Sequence, residues 1–195
     1  MSPEELARIV PLKTGSDRLA ARVEELERQV AELSERMPED RATIVMFGGD
    51  LDKVLAGFII ATGAAAAGLE TSIFFTFWGL SALKKTEARA AGQKNIKERL
   101  FAMMTPSGST GLGVSRMNFM GIGASMMRSM MKDKGVASLE ELMDVARELG
   151  VRFIACTMTM DIMAVAKEEL VDGLEFGGVA TYMADAARSK VTLFI

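Results

Sequence analysis

Short strand-like runs alternate with helical patterns over most of this sequence, and this alternation limits the fold more than any other feature. β-Branched, aromatic and other apolar residues fill runs at about 42–47, 71–78, 151–155 and 191–195, with helical periodicity between them. Right-handed crossovers join such strands into a parallel sheet with helices on both faces. The sequence therefore predicts an α/β domain over 42–195, a three-layer α/β/α arrangement with a mainly parallel sheet.

The sequence also predicts where two of the helices begin. Ser138, with Glu141 at the capping-box position, is expected to cap one helix. Another helical pattern begins near Met160, and residues 173–178 are predicted to be a loop.

The second run, TSIFFTFW, is apolar at nearly every position. A strand with one face in water would alternate, so this run is predicted to lie at the centre of the sheet with both faces buried. Trp78 and Gly79 then fall at its carboxyl end. Binding sites of parallel sheets collect at that edge, which makes Trp78 a candidate wall of a site.

The residue content excludes several kinds of chemistry. The 195 residues include no histidine, which rules out Ser-His-Asp and Cys-His catalysis and removes the commonest transition-metal ligand. We therefore predict no metal site and no cofactor. A single cysteine cannot form an intramolecular disulfide, and no signal peptide opens the chain, so a cytoplasmic location is favoured.

The charge distribution argues against a nucleic-acid partner. The net charge is −3, and residues 1–41 account for it with seven basic and ten acidic residues, since the remainder has sixteen of each. A neutral globular part lacks the basic surface that phosphate backbones require. The 49% hydrophobic content beside 25% charge is typical of a soluble protein with a core.

The N-terminal segment has a heptad pattern. Leucine recurs every seventh residue at Leu12, Leu19, Leu26 and Leu33, with valine or methionine at the other core position. β-Branched residues at position a and leucine at position d favour a parallel two-stranded coiled coil. We therefore predict a helical coiled-coil arm over 1–38 and a homo-oligomer. The alternative is an amphipathic helix folded onto its own domain.

Two segments before residue 132 depart from the simple alternation. Residues 84–113 are predicted to be an insertion, because a basic stretch is followed by the run TPSGSTGLG. Its charge suits either a solvated loop or a docking surface for an acidic partner or an anionic lipid, which would give peripheral membrane contact. Residues 103–131 hold eight of the sixteen methionines, a pattern that suits either core or an adaptable interface.

Gly48, Gly49 and Asp50 separate the first strand from an apolar helical segment. The glycines permit a tight loop and the close approach of a ligand, and Asp50 is placed to cap the helix. A phosphate cradle is one interpretation. The loop matches neither a Walker motif nor GxGxxG, so helix capping is the simpler one.

The only cysteine, Cys156, lies where a strand is predicted to end and a helix to begin, in the run VRFIACTMTMDIM. Backbone N–H groups and the positive end of a helix dipole stabilise a thiolate at such a junction. The strand end also offers a route to solvent. A nucleophile or a sulfur carrier is one interpretation, and a buried cysteine that acts as a small hydrophobic residue is the other.

Four blocks of the sequence together resemble the DsrE-like sulfur-relay family, in particular its DsrE2 branch. The blocks are GGDLDK from Gly48, FFTFWG from Phe74, ACTMTMD from Ala155 and GVATY from Gly178. The resemblance covers about 42–195 and implies an α/β/α layered fold, an oligomer, and a persulfide carried on Cys156. Ala164, where glycine is expected in relatives, is a departure from the pattern.

The resemblance and the thiol together support one favoured hypothesis and one alternative. In the first, Cys156 accepts sulfane sulfur from a rhodanese-type donor and passes it to a TusA-like acceptor, which needs neither histidine nor metal. In the second, the chain is a non-enzymatic oligomeric scaffold or membrane-surface adaptor with an inert Cys156. Asp50 and Asp161 are expected to cap helices. The residues predicted to surround the thiol or support its loops are Gly48, Gly49, Asp50, Trp78, Gly79, Thr157 and Asp161.

Overall fold

The computed structural model describes residues 15–86, 105–106, 108–116 and 118–195. The chain divides into an N-terminal unit that ends at Met37 and a second unit, Pro38–Ile195. Most of the insertion predicted at 84–113 lies outside the described residues.

The described part of the N-terminal unit is one helix, α1 (Gly15–Arg36). Its predicted seam is exposed, between 43% and 68%, at Leu19, Val23, Leu26, Val30 and Leu33. An exposed stripe of leucine and valine is what a coiled-coil seam presents before it pairs with another helix. The predicted helix is confirmed, and the coiled coil stays a prediction.

The second unit is built on a five-stranded sheet. The strands are β1 (Glu39–Met46), β2 (Glu70–Phe75), β3 (Arg152–Cys156), β4 (Glu175–Gly177) and β5 (Ser189–Phe194). Their order is β4-β3-β2-β1-β5, and every neighbouring pair is parallel. β2 is the middle strand and is buried over residues 71–75, which confirms the prediction of a central strand.

Helices cover both faces of this sheet. They are α2 (Leu51–Ala66), α3 (Ile122–Asp133), α4 (Leu139–Glu148), α5 (Thr157–Met163) and α6 (Val179–Ala186). α2 and α4 pack together on one face, and α6 lies on the other face against β1, β4 and β5. The predicted three-layer α/β/α fold is confirmed. None of the helices in the described part of the chain has the length and apolar character that a membrane span requires.

The main core lies between the sheet and α2. Alternate strand residues point to opposite faces, so Ile44, Phe75 and Phe153 face α2, where each is at most 3% exposed. Phe58 of α2 meets the rings of Phe75 and Phe153 at centroid distances of 6.0 and 5.4 Å. Each such side chain contributes about 1.5–3 kcal/mol by leaving water, and together they fix the strands that position the candidate site.

A charged cluster fixes α6 on the opposite face. Asp185 accepts hydrogen bonds from Arg41 of β1 at 2.9 Å and from Arg152 of β3 at 3.0 Å. Arg152 also donates to both carboxylate oxygens of Glu175, at 2.8 and 2.7 Å, and these bonds lower the pKa of Glu175. The cluster lies near the amino ends of β1 and β3, so the opposite end of α6 is directed toward their carboxyl ends.

Several predicted boundaries were wrong. β2 ends at Phe75 rather than at Trp78, because Phe77 has a positive φ of 45° and the chain turns into a 3₁₀ helix, Phe77–Leu83. β4 was predicted to be part of a loop. It is a three-residue edge strand, too short to show an alternating pattern in the sequence. The predicted cap of α4 is confirmed, since Ser138 and Glu141 form both bonds of a capping box.

The methionine-rich helix α3 has two different faces. Ala124 is buried, and Met127 and Met131 pack partly buried against the core, in agreement with the core alternative. Met126 and Met130 are 57% and 51% exposed. α3 therefore supplies both core side chains and an exposed apolar surface.

Candidate functional site

Cys156 is the last residue of β3 and the N-cap of α5. Within the sheet it pairs with Gly177 of β4. Cys156 and Ile154 lie on the α6 face, while Phe153 and Ala155 belong to the core on the α2 face. The predicted position of the thiol, at the junction of a strand and a helix, is confirmed.

The thiol lies in a small apolar cluster. Cys156 is a free cysteine and is 2% exposed, packed with Phe74 and Ile154, which are 5% and 1% exposed. Tyr182 of α6 packs partly buried against them, with its ring centroid 5.6 Å from that of Phe74. The prediction of a thiol open to solvent is therefore wrong for this structure, because α6 lays Tyr182 against the carboxyl end of the sheet.

Threonines attach α5 to its neighbours. The Thr159 hydroxyl bonds to the Thr76 hydroxyl at 2.9 Å and accepts from the Phe77 N–H at 3.2 Å. The Thr157 hydroxyl donates to the Gly177 carbonyl at 3.5 Å. The residues that follow Cys156 are thus tied on one side to the end of β2 and on the other to the end of β4.

Within the described ranges, two non-glycine residues have a positive φ, and both adjoin α5. Phe77, bonded to Thr159, has φ of 45°, and Ala164, the C-cap of α5, has φ of 49°. Side chains other than glycine adopt this region at a cost of about 1–2 kcal/mol. Ala164 is also where the family resemblance leads us to expect glycine, and its backbone supplies the physical reason.

A second group of the predicted residues lines a separate cavity of about 440 Å³. The glycine loop (residues 48–50) forms one wall, and Trp78, which is 47% exposed, forms another. Lys53 and Ser81 also line the cavity. The loop follows β1, whereas Cys156 ends β3, so one strand separates them in the sheet.

The glycines at this cavity permit the close approach of backbone segments. A Cβ added to Gly49 would meet the Trp78 carbonyl carbon at 2.9 Å, and one added to Gly79 would meet the Met46 carbonyl carbon at 2.7 Å. The Gly79 N–H also donates to the Phe47 carbonyl at 2.9 Å. Gly49 and Gly79 are thus needed to pack the 3₁₀ helix against the end of β1.

The two predicted caps differ from expectation. Asp50 is the N-cap of α2, but its carboxylate accepts no hydrogen bond from a backbone N–H of the first turn and instead accepts one from Lys53 Nζ at 2.6 Å. Asp161 is exposed and lies within α5, which begins at Thr157, earlier than the start predicted near Met160. Its carboxylate is therefore not at a helix start.

The predicted site residues thus form two groups. Cys156 and Thr157 lie at the end of β3, and Gly48, Gly49, Asp50 and Trp78 line the cavity, with Gly79 packed behind it. Sequence reasoning did not select the residues that cover or brace the thiol, which are Phe74, Thr76, Thr159 and Tyr182. Tyr182 is the only tyrosine in the chain and falls in the block GVATY. Its place in that block was the one sequence signal that could have indicated a residue covering the thiol.

Among the described residues, no cluster of three or more cysteine, aspartate or glutamate side chains is arranged to hold a metal ion. The reactive group at the end of β3 is the Cys156 thiol. A thiolate performs nucleophilic displacement at sulfur without a metal.

Comparisons with known proteins cover most of this chain. The DsrE/DsrF/DrsH-like family model matches residues 38–194. The uncharacterized protein YrkE of Bacillus subtilis (strain 168) is 46% identical over 155 residues, which are 80% of this chain and 96% of YrkE. The sulfur carrier protein DsrE2 of Allochromatium vinosum is 36% identical over 172 residues, which are 82% of this chain and 100% of DsrE2.

Among solved structures, the ychN protein from E. coli is similar with a TM-score of 0.45 and 13% identity, over 80% of this chain and 98% of that one. The family match spans nearly all of the second unit, Pro38–Ile195. The two sequence relatives match over nearly their full lengths. This chain therefore belongs to the DsrE/DsrF/DrsH-like family.

Proposed function

We propose that this chain is a sulfur carrier that holds sulfane sulfur as a persulfide on Cys156. The observation that carries the proposal is the placement of the only thiol at the carboxyl end of β3, directly before α5. The similarity to the sulfur carrier DsrE2 supports a role in sulfur relay. A relay step needs one cysteine, and this chain has one.

The chemistry is two displacements at sulfur. The Cys156 thiolate attacks the outer sulfur of a donor persulfide, the donor S–S bond breaks, and the donor leaves as a thiolate. An acceptor thiolate then attacks the terminal sulfur on Cys156, and the Cys156 thiolate is released. Each step exchanges one S–S bond for another, so no external oxidant or reductant is consumed.

Transfer requires the sulfur to become accessible. Cys156 is 2% exposed, and Tyr182 is the partly buried member of its cluster. A displacement of Tyr182, in the amino-terminal half of α6, would uncover the sulfur while the Asp185 cluster holds the carboxyl-terminal end of the helix. Local opening of this kind costs less than global unfolding.

The resemblance to the DsrE2 branch suggests the partners. A rhodanese-type donor and a TusA-like acceptor both present sulfur on a cysteine, which suits the two displacements. We further propose a homo-oligomer formed through the exposed seam of α1. A cytoplasmic location fits, because a persulfide carrier requires thiols to stay reduced.

A specific observation favours a second candidate function, a scaffold or membrane-surface adaptor. An apolar groove of about 750 Å³ along α3 is lined by Phe119, Ile122 and Met130, with Arg116 and Lys134 among its charged residues. Apolar side chains beside cations suit an amphipathic, anionic surface. In that case the buried Cys156 serves only as packing.

Alkylation kinetics separate the two functions. If the thiol opens for transfer, native protein should react with iodoacetamide, and Tyr182→Ala should react several-fold faster because the covering ring is removed. Met183→Ala is the matched control, since Met183 is the next residue of α6 and is 54% exposed. Labelling that waits for denaturant in all three proteins would support the scaffold and contradict the carrier.

A further inference from the structure

The cavity beside the glycine loop has its own chemistry, independent of Cys156 and of the proposed sulfur transfer. We propose that this cavity binds the oxyanion group of a small molecule, such as a phosphate or a sulfate. The proposal rests on an unpartnered buried hydroxyl, a helix start that has no side-chain cap and has a lysine beside it, and the position of the cavity in the sheet.

Ser81 supplies the unpartnered hydroxyl. It is 1% exposed and lines the cavity, and its Oγ has no hydrogen-bond partner within the described part of the chain. A buried hydroxyl without a partner is unfavourable, so native structures rarely keep one unless a ligand or water completes it. An oxyanion oxygen in the cavity would accept the hydrogen bond that Ser81 is placed to donate.

The start of α2 adds positive potential. α2 is a 16-residue helix whose N-cap, Asp50, makes no side-chain hydrogen bond to a backbone N–H of the first turn. The N-terminus of a helix attracts anions through its dipole and through N–H groups that lack a partner. Here the Leu51 N–H donates to the Gly113 carbonyl at 2.7 Å, so the dipole supplies the attraction. Lys53 lies in that first turn, and its hydrogen bond to Asp50 raises the pKa of the ammonium, so the cation persists at neutral pH.

Asp50 opposes anion binding, because its carboxylate lines the same cavity. The carboxylate is paired with Lys53 at 2.6 Å, which offsets its charge. The dipole of α2 and the Ser81 hydroxyl then remain to attract the ligand. This arrangement predicts that neutralising Asp50 strengthens anion binding, an effect opposite to that expected for a cation site.

The cavity also lies where the sheet topology favours a ligand. The connection through α2 leaves β1 on one face, and the connection through α6 reaches β5 on the other. β1 and β5 are neighbours, and the order in which strands are added to the sheet reverses direction between them. Ligands of open α/β sheets bind at the carboxyl ends of the two strands that flank such a reversal. The Phe47 and Gly48 N–H groups donate to the Ile195 carbonyl at 2.7 and 2.9 Å, which places the loop beside the end of β5.

Intrinsic fluorescence offers a direct test, because Trp78 is the only tryptophan in the chain and lines the cavity. Phosphate, sulfate and acetate are each titrated into the full chain at constant ionic strength set with chloride. A saturable change with phosphate and sulfate identifies a tetrahedral oxyanion, whereas a change with acetate alone identifies a carboxylate. Ser81→Ala should weaken phosphate binding about tenfold, the effect of one hydrogen bond to a charged group.

Three further variants test whether a positive charge at the cavity strengthens anion binding and a negative charge weakens it. Lys53→Met should also weaken binding, and Asp50→Asn should strengthen it. Lys190→Met is the matched control, because Lys190 is a partly exposed lysine paired with Asp40 outside the cavity, and it should leave binding unchanged. A fluorescence change that does not saturate, or that Ser81→Ala and Lys53→Met both leave intact, would overturn the proposal. Weaker binding in Asp50→Asn would equally contradict it.

Discussion

The replacement of Gly79 by alanine tests whether the 3₁₀ helix must approach the end of β1 as closely as the structure shows. The added Cβ would lie 2.7 Å from the Met46 carbonyl carbon and closer still to its oxygen. Unstrained contacts between carbon atoms are about 3.5–4.0 Å long, so one backbone segment must move by about 1 Å. Both segments are buried, which leaves little room for that shift.

The cost follows from the contacts that the shift disturbs. The Gly79 N–H donates to the Phe47 carbonyl at 2.9 Å, and the Thr76 N–H donates to the Met46 carbonyl at 3.0 Å. Each hydrogen bond contributes about 1 kcal/mol net, and overpacking a buried position costs about 1–3 kcal/mol. We expect Gly79→Ala to lower the free energy of unfolding by about 3–5 kcal/mol, a large part of the 5–15 kcal/mol typical of a domain.

Urea unfolding followed by far-UV circular dichroism measures this change. Gly63→Ala is the matched control, because Gly63 lies within α2 and an added Cβ there meets no atom within 4 Å. Helix propensity predicts that this control gains about 0.5–1 kcal/mol. A Gly79→Ala protein as stable as the Gly63→Ala protein would refute the close approach and, with it, the described wall of the cavity.

Three further predictions concern pH, backbone strain and assembly. Burial raises the pKa of Asp52, but the hydroxyl and N–H of Ser115 outweigh it and hold that pKa below its usual value. The lowered pKa stabilises the folded state at pH values above the unfolded-state pKa, and this stabilisation is lost as the pH falls through the lower folded-state pKa. Asp52→Asn should therefore lower the urea midpoint more at pH 7 than at pH 3. Ala164→Gly should raise the thermal midpoint, because its φ of 49° is a glycine conformation, with a gain of at most about 1 kcal/mol. Lysine at both Leu19 and Leu26 should reduce the particle mass in light scattering; no reduction would contradict the seam.

The fold was largely predictable because its signals are periodic. Continuous apolar runs marked the buried parallel strands, and the capping box at Ser138 marked the start of α4. β4 left no such signal, since three residues are too few to show an alternating pattern. An edge strand of this length forms because the neighbouring strand offers free backbone N–H and C=O groups, whatever the residue types. The turn at Phe77 was also hidden, because its positive φ is imposed by packing and not by residue type.

The candidate site was predictable in position but not in exposure. The sequence places Cys156 at the end of a strand, yet whether a helix covers that end depends on contacts distant in sequence. Asp185 bonds to Arg41 across 144 positions of the chain, and that link brings Tyr182 against the thiol cluster. The grouping of Gly49 with Trp78 likewise depends on tertiary packing.

The most direct test of the sulfur-carrier proposal is the intact mass of native protein after incubation with polysulfide. The account predicts an adduct of about 32 Da per retained sulfur atom, absent from a folded Cys156→Ser variant and removed by an excess of a small thiol acceptor. Circular dichroism of the variant shows whether it is folded. A native protein that gains no sulfur, while the denatured chain does, would contradict the assignment of Cys156 as the carrier.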